Sequence, residues 1–193
     1  MNALNNPFAT DRVERVLAFR PEWAGTTWKE IELRWKSLNH HATLTGHHGS
    51  GKTTFLDAWK KRLIEDGHEV VSLFLNRESR SLTPVGWQAL ENCSGKTILL
   101  DGEEQLSWRA RRKFHQLCQQ ADGVLVTRHS RGKLPTLLHF ESDIRTLELC
   151  IQQLAPEHNQ TLSPHLELWW QQCNGNIREV LLKCYDALEN SAE

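Results

Sequence analysis

The chain has 193 residues, enough for one domain that buries its core without help from disulfides or metals. Its 39% hydrophobic and 24% charged residues are typical of a globular protein, and its net charge of −1 gives no overall attraction to nucleic acid or acidic lipid. Widely spaced cysteines argue against a disulfide framework or zinc site. The lack of an apolar signal core or membrane span predicts a cytoplasmic protein without a membrane partner.

Helical and strand patterns alternate along most of the chain. Residues 1–40 form a helical lead-in, with one helical pattern between Asn5 and Arg20 and a second helix from Thr26 or Thr27. A buried strand over 41–45 and an amphipathic helix over 53–65 follow. The later predicted elements are strand 69–75, helix 84–93, strand 97–101, helix 108–120, strands 123–127 and 136–140, and helix 143–154 capped by Ser142.

This alternation predicts an α/β fold with a five-stranded, mainly parallel sheet flanked by helices. The rhythm breaks near the C-terminus, where the patterns predict two helices over Leu162–Gln172 and Asn176–Asn190. We therefore divide the chain into a nucleotide-binding core of residues 1–156 and a small helical lid of residues 157–193.

A glycine-rich stretch lies between the first strand and its helix. Gly46-His-His-Gly-Ser-Gly51-Lys52-Thr53 fits the phosphate-loop pattern GxxxxGK[ST] at every fixed position and in the required strand–helix context. The backbone amides are expected to cradle phosphates, Lys52 to supply a charge to the β- and γ-phosphates, and Thr53 to coordinate Mg²⁺. The residues expected to bind nucleotide are Gly46, His47, His48, Gly49, Ser50, Gly51, Lys52, Thr53 and Thr54.

A second acidic element follows about fifty residues later, in Thr97-Ile-Leu-Leu-Asp101-Gly-Glu103-Glu104. Asp101 ends an apolar strand and is expected to orient Mg²⁺ opposite Thr53. A carboxylate just beyond it can polarise the attacking water, so Glu103 and Glu104 are both candidate catalytic residues. We favour Glu104, since Gly102 turns the chain. The alternative is that both are ordinary acids in the first turn of the next helix.

Together these motifs resemble P-loop ATPases of the additional-strand class, in particular AAA+ and STAND-like modules. The resemblance implies ATP with Mg²⁺ as cofactors, in keeping with the absence of an Asn-Lys-x-Asp guanine reader. It implies that Asn6-Pro7-Phe8 packs against the adenine, that Thr127 or Arg128 reads the γ-phosphate, and that Arg178, in Gly175-Asn-Ile-Arg-Glu179, reaches the nucleotide from the lid. Unlike that group, the catalytic glutamate does not directly follow Asp101.

Two basic clusters remain. The first basic cluster follows Trp108 and consists of Arg109, Arg111, Arg112 and Lys113. The second basic cluster consists of Arg128, Arg131 and Lys133. The resemblance makes Arg131 a candidate arginine finger for a neighbouring site. A solvated basic face is the plainer interpretation, and a local nucleic-acid groove stays open although the net charge does not indicate one.

The leading hypothesis is a Mg²⁺-dependent ATP hydrolase that acts as a molecular switch. Since 193 residues leave no room for a separate effector domain, its partner is expected to be another protein chain, a second copy or DNA. A small-molecule or nucleotide kinase is one alternative. A nucleotide-binding scaffold without turnover is the other.

Overall fold

The computed structural model describes residues 6–190. Asn5, where the first predicted helical segment begins, and residues 191–193 of the predicted lid lie outside the described residues. The strands are β1 His41–Gly46, β2 Glu69–Phe74, β3 Lys96–Asp101, β4 Gly123–Arg128 and β5 Thr136–Phe140. The helices are α1 Thr10–Val16, α2 Trp28–Ser37, α3 Lys52–Glu65, α4 Pro84–Glu91, α5 Trp108–Leu117, α6 Ile144–Leu154, α7 Asn159–Gln172 and α8 Ile177–Asn190.

The five strands form one sheet in the order β2-β3-β4-β1-β5, and every pair is parallel. The predicted α/β fold is thereby confirmed, and the sheet is wholly rather than mainly parallel. β4 lies between β1 and β3, with Leu44 opposite Thr127 and Leu100 opposite Val126. Because the strands are parallel, the residues that follow β1, β3 and β4 meet at one edge of the sheet.

Helices cover both faces of this sheet because side chains along each strand alternate between them. On one face, Leu99 and Leu125 pack with Phe55 and Trp59 of α3 and with residues of α2. On the other, buried residues of β3 and β4 pack with residues of α4 and α5, among them Phe114. These two layers explain why the central strands read as continuous apolar runs.

A third hydrophobic cluster joins the last three long helices. Leu147 and Ile151 of α6 pack with residues of α7 and α8, and Phe8 from the N-terminal segment is 2% exposed among them. The helical cluster therefore begins at α6, before the division at residue 156 that the sequence predicts. Among residues 6–190, no helix is both long enough and apolar enough to cross a membrane.

The predicted cap of α6 is wrong by one residue. Oδ1 of Asp143 accepts a hydrogen bond from the Thr146 amide at 2.6 Å, so Asp143 is the N-cap. The Ser142 hydroxyl is instead buried without a hydrogen-bond partner. An aspartate three residues before a free helical amide is as good a cap as serine, which is why the sequence alone did not separate the two.

Candidate functional site

The glycine-rich loop connects the end of β1 to the start of α3. A Cβ atom added to Gly46 would lie 2.5 Å from the Phe140 carbonyl oxygen, a backbone atom that cannot move aside easily. Gly51 is the N-cap of α3 and has φ +94°, a left-handed conformation that disfavours other residues. Glycine is thus required at both ends of the turn, for steric reasons at one and conformational reasons at the other.

Lys52 is folded back under this loop. Its ammonium group donates hydrogen bonds to the carbonyl oxygens of Gly46 at 2.7 Å and His47 at 2.6 Å, and the residue is 8% exposed. Burial lowers its pKa, against the opposing charges of Glu104 and Asp101. A buried ammonium group held by backbone carbonyls is a fixed positive charge at the base of the loop.

Asp101 connects the ends of three elements. Its Oδ2 accepts a hydrogen bond from the Thr53 hydroxyl at 2.7 Å, and its Oδ1 accepts one from the Thr127 hydroxyl. Thr127 also accepts from the Gly102 amide at 2.8 Å and is 1% exposed. Both hydrogen bonds of the Thr127 hydroxyl are therefore made to the end of β3. Thr127 can affect the site only by holding Asp101 in position.

Glu103 is paired on the side away from the loop. The residue is 1% exposed, and its two carboxylate oxygens contact His115 at 2.7 Å and Arg128 at 2.6 Å, with Arg111 at 3.9 Å. Burial alone would raise its pKa, but the hydrogen bonds and charges of His115 and Arg128 outweigh burial and lower it. The structure thus joins two predicted catalytic residues, Glu103 and Arg128, in one buried ion pair.

Glu104 faces the loop instead. Its Oε1 lies 2.9 Å from Nε2 of His129, while its Oε2 is buried without a hydrogen-bond partner. Its charge is the largest of the two that raise the pKa of Lys52, which indicates that the carboxylate lies close to the ammonium group. Of the two glutamates, only Glu104 has an oxygen that no side chain or amide occupies.

Two histidines complete the site. The rings of His48, in the loop, and His129, after β4, have centroids 3.8 Å apart. Nδ1 of His129 lies 3.3 Å from the Gly46 carbonyl oxygen. Burial lowers the pKa of His48, and the charges of His129, Arg77 and Lys52 lower it further. His129 was not predicted from the sequence, although its position directly after the Thr127-Arg128 pair at the end of β4 was the available signal.

The first turn of α8 lies directly on the loop. A Cβ added to Gly49 would lie 1.9 Å from Oδ1 of Asn176 and 3.4 Å from the backbone nitrogen of Arg178. Asn176 is held there by its own hydrogen bond to Glu179 at 2.8 Å. The backbone of Arg178 thus borders the loop, and its side chain is exposed.

The remaining predicted site residues lie in varied surroundings. His47 is exposed, Thr54 is half-buried, and Ser50 has a buried hydroxyl without a hydrogen-bond partner. Phe8 is packed in the helical cluster, and the Asn6 amide donates to the Tyr185 carbonyl of α8 at 3.0 Å. The N-terminal segment is thus tied to α8, with the Phe8 ring inside the cluster.

Some basic side chains of α5 contact other parts of the protein, and others face the solvent. Arg111 donates to the carbonyls of Glu104 and Leu106, at 3.2 and 3.0 Å, and Lys113 lies over the Trp87 ring. Trp108 is 70% exposed. Arg109 and Arg112 of the same helix are also exposed, as is Arg131 of the second basic cluster. Within this cluster, Arg111 therefore supports the turn that carries the two glutamates.

Among residues 6–190, no group of three or more His, Cys, Asp or Glu side chains is arranged so that it could hold a metal ion. No known protein family matches the chain, and no curated protein is significantly similar to it.

Proposed function

We propose that this protein binds ATP with Mg²⁺ at the 46–53 loop and hydrolyses it, as a P-loop ATPase of the additional-strand class. The observation that carries the proposal is the meeting of two elements. The Lys52 ammonium lies under the loop that follows β1. The Thr53 hydroxyl lies 2.7 Å from the carboxylate of Asp101 at the end of β3, which is separated from β1 by β4. That juxtaposition is what a triphosphate with a divalent cation needs.

The residues present fit both groups. Glycine at positions 46 and 51 lets the backbone of the loop turn its amides inward, and the following helix directs its positive end at an anion. Thr53 and Asp101 offer oxygen ligands, the type Mg²⁺ takes, and Mg²⁺ completes its shell with phosphate oxygens and water. When bound, the ion would neutralise charge on the β- and γ-phosphates.

Each side chain has a distinct task in this proposal. Lys52 exchanges its two carbonyl partners for phosphate oxygens and holds the triphosphate in place. Thr127 keeps Asp101 oriented across the strand ends. Glu104 accepts a proton from the attacking water through its unpaired oxygen, whereas Glu103 keeps the turn in position through Arg128.

The contact between Gly49 and Asn176 supports the switch hypothesis. A triphosphate in the loop would lie beside the first turn of α8, so filling the loop acts on the helical cluster through that turn. The resemblance to AAA+ and STAND-like modules assigns Arg178 to the nucleotide and the exposed Arg131 to a neighbouring chain. Light scattering with and without Mg-ATP, with Lys52→Ala as control, tests self-association.

Two glutamine variants test the hydrolase proposal. Glu104→Gln should retain Mg-ATP binding and lose about 10² to 10⁴-fold in the rate of phosphate release, the usual contribution of a general base. Glu103→Gln is the matched control, since the same exchange one residue earlier in the turn removes a buried ion pair rather than the base. Binding is measured by isothermal titration, and phosphate release without any added acceptor.

Four outcomes contradict the proposal. Equal phosphate release from Glu104→Gln and the parent removes Glu104 as the base. Binding of Mg-ATP without release by the parent supports the scaffold, and release only with an added acceptor supports the kinase. Undiminished binding by Lys52→Ala would mean that the nucleotide lies elsewhere.

A further inference from the structure

His129 contacts two parts of the candidate site at once. Its Nε2 lies 2.9 Å from Oε1 of Glu104, and its Nδ1 lies 3.3 Å from the carbonyl oxygen of Gly46. The first partner is the candidate base, and the second is the carbonyl that also accepts a hydrogen bond from Lys52. The imidazole therefore bridges the turn after β3 and the first residue of the phosphate loop.

Both partners of the ring are hydrogen-bond acceptors. A carbonyl oxygen can only accept, and an ionised carboxylate can only accept. A neutral imidazole carries one N–H group, so it can donate to Gly46 or to Glu104 but not to both. Only the charged ring, with an N–H on each nitrogen, can form an ion pair with the Glu104 carboxylate and donate to the Gly46 carbonyl at the same time.

We propose that His129 is a positioning residue that, in its charged form, ties Glu104 to the loop and withholds it from the attacking water. A carboxylate paired with an imidazolium is a weaker base than an unpaired one, because the proton it would accept competes with that positive charge. When the ring releases its proton to solvent, the positive charge beside Oε1 is lost, and the carboxylate becomes a stronger base at its unpaired Oε2. The inference rests on the proposed hydrolase function.

The surroundings of the ring fix the sign of this effect. Among the residues that the structure describes, the Glu104 carboxylate is the acidic group in contact with the ring. The His48 ring lies against it from the loop, the Lys52 ammonium shares the Gly46 carbonyl with it, and Arg77 acts on His48 from the segment after β2. On its own segment, Arg128 is occupied by Glu103. A γ-phosphate would bring further negative charge to this place, so the charged state belongs to the nucleotide-bound protein as well.

The pH dependence of hydrolysis tests the proposal. The parent should release phosphate faster as the pH rises from 6 to 8, by roughly fivefold, since histidine is the side chain that changes charge in this range. His129→Gln carries one uncharged donor, so its rate should be independent of pH and at least equal to that of the parent at pH 8. Its affinity for a non-hydrolysable Mg-ATP analogue should change by less than about threefold, because the proposed effect is on kcat and not on binding.

The matched control is His139→Gln. His139 lies at the end of the neighbouring strand β5 and contacts Thr45 at 2.8 Å and Glu141 at 3.5 Å, away from Glu104. This variant should keep the pH profile of the parent. A His129→Gln enzyme with the parent's pH profile, or one whose lost rate follows from lost affinity, would overturn the proposal.

A measurement without nucleotide separates this inference from the proposed function. Nitrogen-15 NMR of the free protein at pH 6 should show both ring nitrogens of His129 protonated, with assignment by difference from His129→Gln. In Glu104→Gln, which lacks the carboxylate beside the ring, the second proton should be lost at a lower pH than in the parent. If the parent proves not to hydrolyse ATP but shows this signature, the proposed function fails and the bridge stands; a singly protonated ring at pH 6 refutes the bridge itself.

Discussion

Exchange of Thr127 for valine tests whether the strand ends are tied together as the contacts indicate. The Thr127 hydroxyl donates to Asp101 and accepts from the Gly102 amide at 2.8 Å, in a residue that is 1% exposed. Valine keeps the shape of threonine but leaves the buried Gly102 amide without an acceptor. Orphaning a buried donor costs about 1–3 kcal/mol, so Thr127→Val should lower the free energy of unfolding by about 2 kcal/mol.

Thr43 provides a matched control for that exchange. It lies on β1, next to β4 in the sheet, and is also 1% exposed, but its hydroxyl has no hydrogen-bond partner. Removal of an unpaired buried hydroxyl relieves a desolvation cost rather than creating one. Thr43→Val should therefore leave the free energy of unfolding unchanged or raise it by about 1 kcal/mol.

Urea-induced unfolding, followed by tryptophan fluorescence, measures the difference between the two variants. In a chain of this size, a loss of about 2 kcal/mol corresponds to a fall in Tm of about 6 °C. Thr127→Ser, which keeps the hydroxyl, should recover most of the loss. If the two valine variants agreed within about 0.5 kcal/mol, the connection through Thr127 would not be a stabilising one.

Two further predictions concern the loop and the buried glutamate. Gly49→Ala places a methyl group 1.9 Å from Oδ1 of Asn176, so hydrogen exchange in the first turn of α8 should accelerate. Adding Asn176→Ser, which shortens the side chain and keeps a cap, should slow it again, and no recovery would count against the contact. The pKa of Glu103 is lowered in the folded protein, so its stabilising contribution is present above about pH 4.3 and is lost as the pH falls through the lower folded value. In Glu103→Gln, the free energy of unfolding should be about 3 kcal/mol lower at neutral pH. It should also change less with pH between about pH 5 and 3 than in the parent. A change as steep as the parent's would refute the assignment of this pH dependence to Glu103.

The positions of the strands along the chain could be predicted from the sequence because each signal was local. Apolar runs bounded by turn residues located all five strands, and Pro84 after Thr83 located the start of α4 within a residue. Strand order was beyond reach, since nothing in a single strand records its neighbour. The packing of α6 with α7 and α8 could not be read from the sequence for a similar reason, because an amphipathic face shows that a helix packs without showing whether it packs on a sheet or on other helices.

The candidate site divides in the same way. The loop and Asp101 carry short-range patterns and were predicted to lie together. The roles of Glu103 and Arg128 depend on their pairing across 25 residues, and that of His129 on contacts with Glu104 and with Gly46, 83 residues away. Such pairings follow from the positions of β1, β3 and β4 in the sheet, so no spacing rule within the sequence could reveal them.

The turn after β3 explains how a glutamate three residues beyond Asp101 can face the loop. Gly102 has φ +86°, and a Cβ there would lie 2.3 Å from the Leu75 carbonyl oxygen, so glycine is required for the chain to turn back. Residues 103–105 then form a short 3₁₀ turn, in which successive side chains point about 120° apart. This rotation sends Glu103 towards Arg128 and Glu104 towards Lys52. Gly102 and Glu103 thus do not displace the candidate base from the site; they form the turn and the buried ion pair that hold Glu104 against the loop.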